Sequence, residues 1–165
     1  LKLPNPGIAG KKEYEYIRRG TQALIAGFNI ANGQVTAQCR DTRTASDLLE
    51  YMESLALQYS WAKKIHIIWD NLNIHHNGPD LRWDTFNQLH EGKFVFHYTP
   101  LHASWVNQVE IFFSILHRRI LKHGSFTSTA DLKAKVMKFI DLWNKIEGHA
   151  FNWTFGGFAK QKKEA

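Results

Sequence analysis

Ile65-His66-Ile67-Ile68-Trp69-Asp70-Asn71 is the stretch on which the reading of this chain turns. Its first five residues are mostly β-branched or aromatic, the pattern of a short strand covered on both faces. Such a strand belongs inside an α/β sheet, where functional sites gather beyond the carboxyl ends of the strands. Asp70 stands at that end. Alone it is also explained as the Asx residue that closes a strand. The polar run Asp70-Asn71-Leu72-Asn73-Ile74-His75-His76 that follows adds donors and acceptors beside a buried element.

Working outward, Thr21 to Ile30 reads as a strand and Gln34 to Cys39 as its return. Asn32-Gly33 between them is a two-residue hairpin signal. Thr44-Ala45-Ser46-Asp47 resembles a capping box opening a helix through Leu48, Leu49, Met52, Leu55 and Leu57 to about Tyr59. Gly78-Pro79 is expected to open the next helix, with Pro at its first position and Leu81, Phe86 and Leu89 on its apolar side. Lys93 to Tyr98 is a further strand. Val106 to Lys122 reads as a helix apolar nearly all round, hence buried. Ser128-Thr129-Ala130-Asp131 caps a last helix with Leu132, Val136, Phe139, Trp143 and Ile146 on one side. Strand, strand, helix, strand, helix, strand, helix, helix implies an α/β fold with a mixed sheet flanked by helices. Residues 1–20 are expected to be a basic loop or arm, 21–150 the domain and 151–165 a tail.

The bulk properties narrow the partners. At 165 residues with 44% hydrophobic side chains, including six Trp and eleven Phe, the chain can bury a real core and is not disordered. A net charge of +6 and a pI near 9.5 suit a polyanion, although a basic surface is often only solvated. Cys39 is the only cysteine, which excludes an internal disulfide and a cysteine-based zinc site. A reducing cytoplasm is the expected compartment. No apolar run approaches the ~18–20 residues that cross a bilayer, so no membrane partner is expected. The nine His show no ligand spacing typical of zinc, and His66 and His97, alternating within strands, read as structural.

Glu110 opens the apolar helix, where an acidic first-turn residue also suits the helix dipole. In so apolar a setting its charge calls for a partner, either a cation or a metal ion. One helix and one strand lie between Asp70 and Glu110, a connection that returns the chain to the same edge of the sheet. Two carboxylates there suit Mg²⁺ or Mn²⁺, which prefer oxygen ligands. Paired cations stabilise both oxygens in an in-line attack on a phosphodiester.

Asp70-Asn71-x-x-x-His75 and Tyr98-Thr99-Pro100-x-x-Ala103-Ser104-Trp105-x-Asn107-x-x-Glu110 resemble the second and third parts of the DDE site of bacterial insertion-sequence transposases allied to the mariner group. The likeness continues through Phe112-Phe113, Arg118-Arg119 and Gly124-Ser125-Phe126. Upstream it takes in Tyr16-Ile17-Arg18-Arg19-Gly20-Thr21 and Ala31-Asn32-Gly33, so that roughly residues 11–145 are covered. The resemblance implies an RNase H-like fold, Mg²⁺ or Mn²⁺ held by Asp70 and Glu110, and cleavage and transfer of DNA strands at transposon ends.

One departure stands out. The family's first catalytic Asp lies on a strand before Thr21–Ile30, and neither Glu13, Glu15, Asp41 nor Asp47 takes that place. The resemblance therefore points to a catalytic domain lacking its first strand and inactive as it stands. The gap is expected to close by direct strand pairing, by a neighbouring copy or by strand exchange, which makes a homodimer plausible.

Candidate DNA contacts are Asn71, His75, Ser104, Trp105 and Asn107, with the cations Lys11, Lys12, Arg18, Arg19, Arg118 and Arg119. Trp105 offers a stacking surface for a base, Asn107 a hold on Glu110, and Ser104 a helix-capping hydroxyl. The Arg118–Arg119 end of the helix also simply complements its dipole. A structure-specific RNase H-like nuclease, or a non-catalytic DNA-binding or oligomerisation fragment, are the competing readings.

Overall fold

The computed structural model describes residues 20–100 and 106–152. In chain order the elements are β1 (Ala23–Phe28), β2 (Val35–Arg40), α1 (Ala45–Gln58), β3 (Ile65–Trp69), α2 (Arg82–Leu89), β4 (Phe94–Tyr98), α3 (Val109–Leu116) and α4 (Thr129–Leu142). α3 and α4 each run on into a π turn, His117–Leu121 and Trp143–Glu147.

β1 and β2 pair antiparallel, with Phe28 opposite Val35. The turn between them is longer than the two residues that Asn32-Gly33 suggested. Asn29 N donates to Gln34 O at 2.8 Å, leaving Ile30 to Gly33 as a four-residue loop. Gly33 is required at its end. It holds φ +75°, and a Cβ there would collide with the backbone of His149. The Gly33 carbonyl accepts from Trp143 Nε1 at 2.8 Å, which pins the turn to the end of α4.

The alternation of β1 sorts its side chains between two cores. Leu24, Ala26 and Phe28 join Val35, Cys39, Phe112, Leu116 and Trp143 beneath α3 and α4. Ile25 joins Met52, Leu55, Trp69, Trp83 and Phe86 on the side of α1 and α2. Polar links reinforce the second side, with the Tyr51 hydroxyl donating to Thr36 O at 2.9 Å and Arg40 paired with Glu50 at 2.8 Å. α1 begins at the expected capping box: Asp47 N donates to Thr44 Oγ1, and Thr44 N donates to Asp47 Oδ2 at 2.8 Å.

β3 and β4 pair parallel, Ile65 opposite Phe94 and Trp69 opposite Tyr98. They form a separate two-stranded sheet, so among the described residues no direct pairing of β1 with β3 closes the gap. Nor is β3 covered on both faces. Ile65, Ile67 and Trp69 face α1 and α2, whereas His66, Ile68 and His97 on the opposite face are exposed. His66 and His97 stack and share a 2.8 Å nitrogen–nitrogen contact.

Several apolar residues point elsewhere than their spacing suggested. α2 starts at Arg82, because Asn77 Oδ1 reaches across the Gly78–Leu81 turn to accept from Trp83 N (2.8 Å) and Asp84 N (3.3 Å). Pro79 is thus a turn residue. Trp83 and Phe86 are buried, while Leu81 and Leu89 face solvent. Leu57 and Ile146 are exposed too. α3 is amphipathic rather than buried all round: Phe112 and Leu116 are buried, and Phe113 is only half-buried.

Candidate active site

Parallel pairing fixes which backbone groups of β3 are spoken for. Ile65 N donates to Lys93 O and Thr99 N donates to Trp69 O, so the odd residues bond to β4. The even ones, His66 and Ile68, aim their backbone groups at the opposite edge. There the Asn107 side-chain amide donates to Ile68 O over a long 3.4 Å. Asn107 Oδ1 accepts from Val109 N at 3.3 Å, and Asn107 O accepts from Glu110 N at 3.0 Å. One residue therefore tethers the first turn of α3, which carries Glu110, to the strand end that carries Asp70.

Asp70 is held from two sides. Its Oδ1 accepts from Leu72 N at 3.2 Å, the Asx turn that any strand-ending Asp can make. His75 Nδ1 lies 2.8 Å from the same oxygen and 3.0 Å from the Asp70 backbone carbonyl oxygen. His75 reaches this position because its ring lies flat on Trp69, centroids 4.8 Å apart, while Tyr98 Oη donates to its carbonyl at 2.7 Å. The single-turn 3₁₀ segment Asn73–His75 thus folds back over the strand end. Asn71 Nδ2 donates to Thr99 O at 2.7 Å and ties the loop to the end of β4. Asn71 and His75, expected to face DNA, are both engaged by the protein itself.

Glu110 lies in the first turn of α3 and is exposed. The expectation that a buried helix forces a partner on it is corrected: solvent solvates its charge, and among the described residues its carboxylate makes no ion pair or hydrogen bond. Arg118 and Arg119 lie exposed on the π turn at the other end of the same helix, where Arg119 Nη1 pairs with Glu147 at 2.5 Å. Ser104, Trp105, Lys11, Lys12, Arg18 and Arg19 lie outside the described residues.

The donors suit a hard cation in kind. Asp70 and Glu110 offer carboxylate oxygens, and two buried oxygens nearby in the chain, Thr99 Oγ1 and Gln108 Oε1, have no hydrogen-bond partner. They fall short in number, since no group of three His, Cys, Asp or Glu gathers among the described residues. Tyr98 and Thr99 stood in the sequence only as the opening of the motif, with no role given to either. Their work as supports, Tyr98 on His75 and Thr99 on Asn71, follows from their register opposite Trp69-Asp70, which needs the strand pairing to be seen.

A carboxylate at the carboxyl end of a parallel strand pair, with a second on a helix tethered to that strand, suits metal-assisted phosphodiester chemistry. Residues 4–133 match the family model of the DDE superfamily endonucleases, and the chain belongs to that family. Over 125 residues it is 26% identical to an uncharacterized 39 kDa protein of insertion element IS630 from Shigella sonnei. That alignment takes in 76% of this chain and 35% of the relative, so the chain spans about a third of the relative's length. None of the described helices is long and apolar enough to cross a membrane.

Proposed function

We propose that this chain supplies catalytic carboxylates of an insertion-sequence transposase, with metal-dependent phosphodiester cleavage and strand transfer at transposon ends as its reaction. An RNase H-like arrangement of the sheet suits that role. The observation that carries the reading is the Asn107 tether, which ties the turn bearing Glu110 to the strand ending at Asp70. Asp70 and Glu110 are the residues that would hold Mg²⁺ or Mn²⁺. A bound cation would stabilise charge building on the phosphoryl oxygens and ease deprotonation of the attacking hydroxyl.

The chain's own groups do the positioning. His75 fixes the Asp70 carboxylate from the Trp69 side, and Asn71 holds the loop against β4. The cations Arg118, Arg119, Lys11, Lys12, Arg18 and Arg19 engage phosphates; Ser104 and Trp105 contact the DNA, Trp105 by stacking on a base. Two carboxylates hold paired cations poorly, so the chain by itself cleaves weakly or not at all and needs a further acidic ligand. The edge of β3 away from β4 pairs with no other strand among the described residues, and it offers a second copy a strand to pair with, which supports a homodimer. A reducing compartment at the bacterial nucleoid is where such an enzyme meets its substrate.

Asp70→Asn and Glu110→Gln, each placed in the transposase that carries this chain, should abolish cleavage of a plasmid bearing the element's ends. The denaturation midpoint should move little. Transposition at the wild-type rate by either variant would overturn the assignment. The count of two carboxylates favours one second reading, a DNA-binding piece without cleavage of its own. It predicts salt-sensitive DNA affinity indifferent to metal.

A further inference from the structure

At the far end of α3 from Glu110, the π turn and α4 enclose an open pocket of about 300 Å³. Its apolar lining is Ile120, Phe126, Phe139 and Leu142, and its rim carries Arg119, Lys135 and Lys138. Gly124 shapes it, because a Cβ there would strike both the Ile120 carbonyl and the Phe126 ring. The Lys135 ammonium sits 5.4 Å from the centre of that ring, fixed by Asp131 and the Ser125 carbonyl at 2.9 Å each.

An apolar floor alone would suit many occupants, and the charge around it decides among them. Arg119 is balanced by Glu147 and Lys135 by Asp131. Lys138 on the rim is exposed and forms no ion pair among the described residues; Arg118 and Lys122, which flank the lining residues Arg119 and Ile120 in sequence, are likewise exposed and unpaired there. An uncompensated cation on the rim of an aromatic floor, with two more close by in sequence, suits a flat, apolar group flanked by negative charge, which is a nucleotide within a single strand.

We propose that this pocket takes one unpaired base of DNA against Phe126, with Lys138 on a flanking phosphate. The inference rests on the DNA-processing reading above and extends it to a second contact. Ten residues of helix separate Glu110 from Ile120, about 15 Å at the helical rise, a span of a few nucleotides. The pocket would thus hold strand running on from the carboxylates.

The test uses the 165-residue chain in EDTA, so that metal and carboxylates play no part. The probe is a single-stranded oligonucleotide carrying 2-aminopurine, with the matching duplex as comparison. Binding should quench the 2-aminopurine. Phe126→Ala should lower single-strand affinity about 5- to 100-fold and leave duplex affinity unchanged, with Phe126→Trp restoring it. Lys138→Gln should make the plot of log K against log salt shallower by about 0.7. Unchanged single-strand affinity in a folded Phe126→Ala, or an equal loss on single strand and duplex, overturns the pocket while the DNA reading survives. If the unaltered chain binds neither DNA, the DNA reading falls together with the pocket.

Discussion

Phe112→Ala should be among the most destabilising single changes in this chain, and its neighbour shows why. Phe112 is fully buried, its ring 5.5 Å from Trp143 and 6.3 Å from Phe139 beneath the β1–β2 sheet. Removing it forfeits about 1.5–3 kcal/mol of transfer free energy. Lost aromatic pairing and an unfilled cavity bring the total to roughly 3–5 kcal/mol. Phe113, one position on, is half-buried and should cost about 1–2 kcal/mol by the same reckoning. A helix buried all round would instead penalise the two alike. Urea titration followed by tryptophan fluorescence, with Trp143 as the buried reporter, measures both. Since a domain of this kind has about 5–15 kcal/mol in all, Phe112→Ala removes a large share of the margin, and Phe112→Leu provides a milder control. A cost for Phe112→Ala below about 1 kcal/mol, or equal costs at 112 and 113, would refute the two-faced packing of α3.

His75→Ala should cost about 1–2 kcal/mol, from the partly exposed contact of Nδ1 with the Asp70 backbone carbonyl and carboxylate and from the stack on Trp69; a loss under about 0.3 kcal/mol in the same titration would make the ring a bystander. Asp47 is held down to about 2 by hydrogen bonds from the Thr44 and Thr42 hydroxyls and from the Thr44 backbone. Its contribution is therefore complete above the unfolded value near ~3.9 and is lost as pH falls toward about 2. Melting temperatures of the unaltered chain and Asp47→Asn should converge across that window, and a gap that stays constant would contradict the capping box.

Local signals carried much of this fold. The β-branched run at 65–69 and the Thr44–Asp47 capping box need only near neighbours, and both elements form where the residues suggest. The errors arise where distant groups decide. Pro79 looked like a helix start because nothing nearby shows that Asn77 would cap α2 from across a turn. Leu89 and Ile146 fit apolar spacings, yet Trp83 and Ile140 hold the buried positions. The absence of β1–β3 pairing is a property of sheet assembly, which periodicity does not encode. At the candidate site, Asp70, Asn71, His75, Asn107 and Glu110 were legible as a motif. That His75 grips Asp70, and Asn107 the edge of β3, became visible only with the chain folded.

The most direct measurement is anomalous difference density from crystals soaked in Mn²⁺. The account predicts a peak within direct coordination range of carboxylate oxygens of both Asp70 and Glu110, near the 2.0–2.1 Å typical of such small hard cations. Density on neither carboxylate, or on one while the other points into separate surroundings, would contradict a shared cation site.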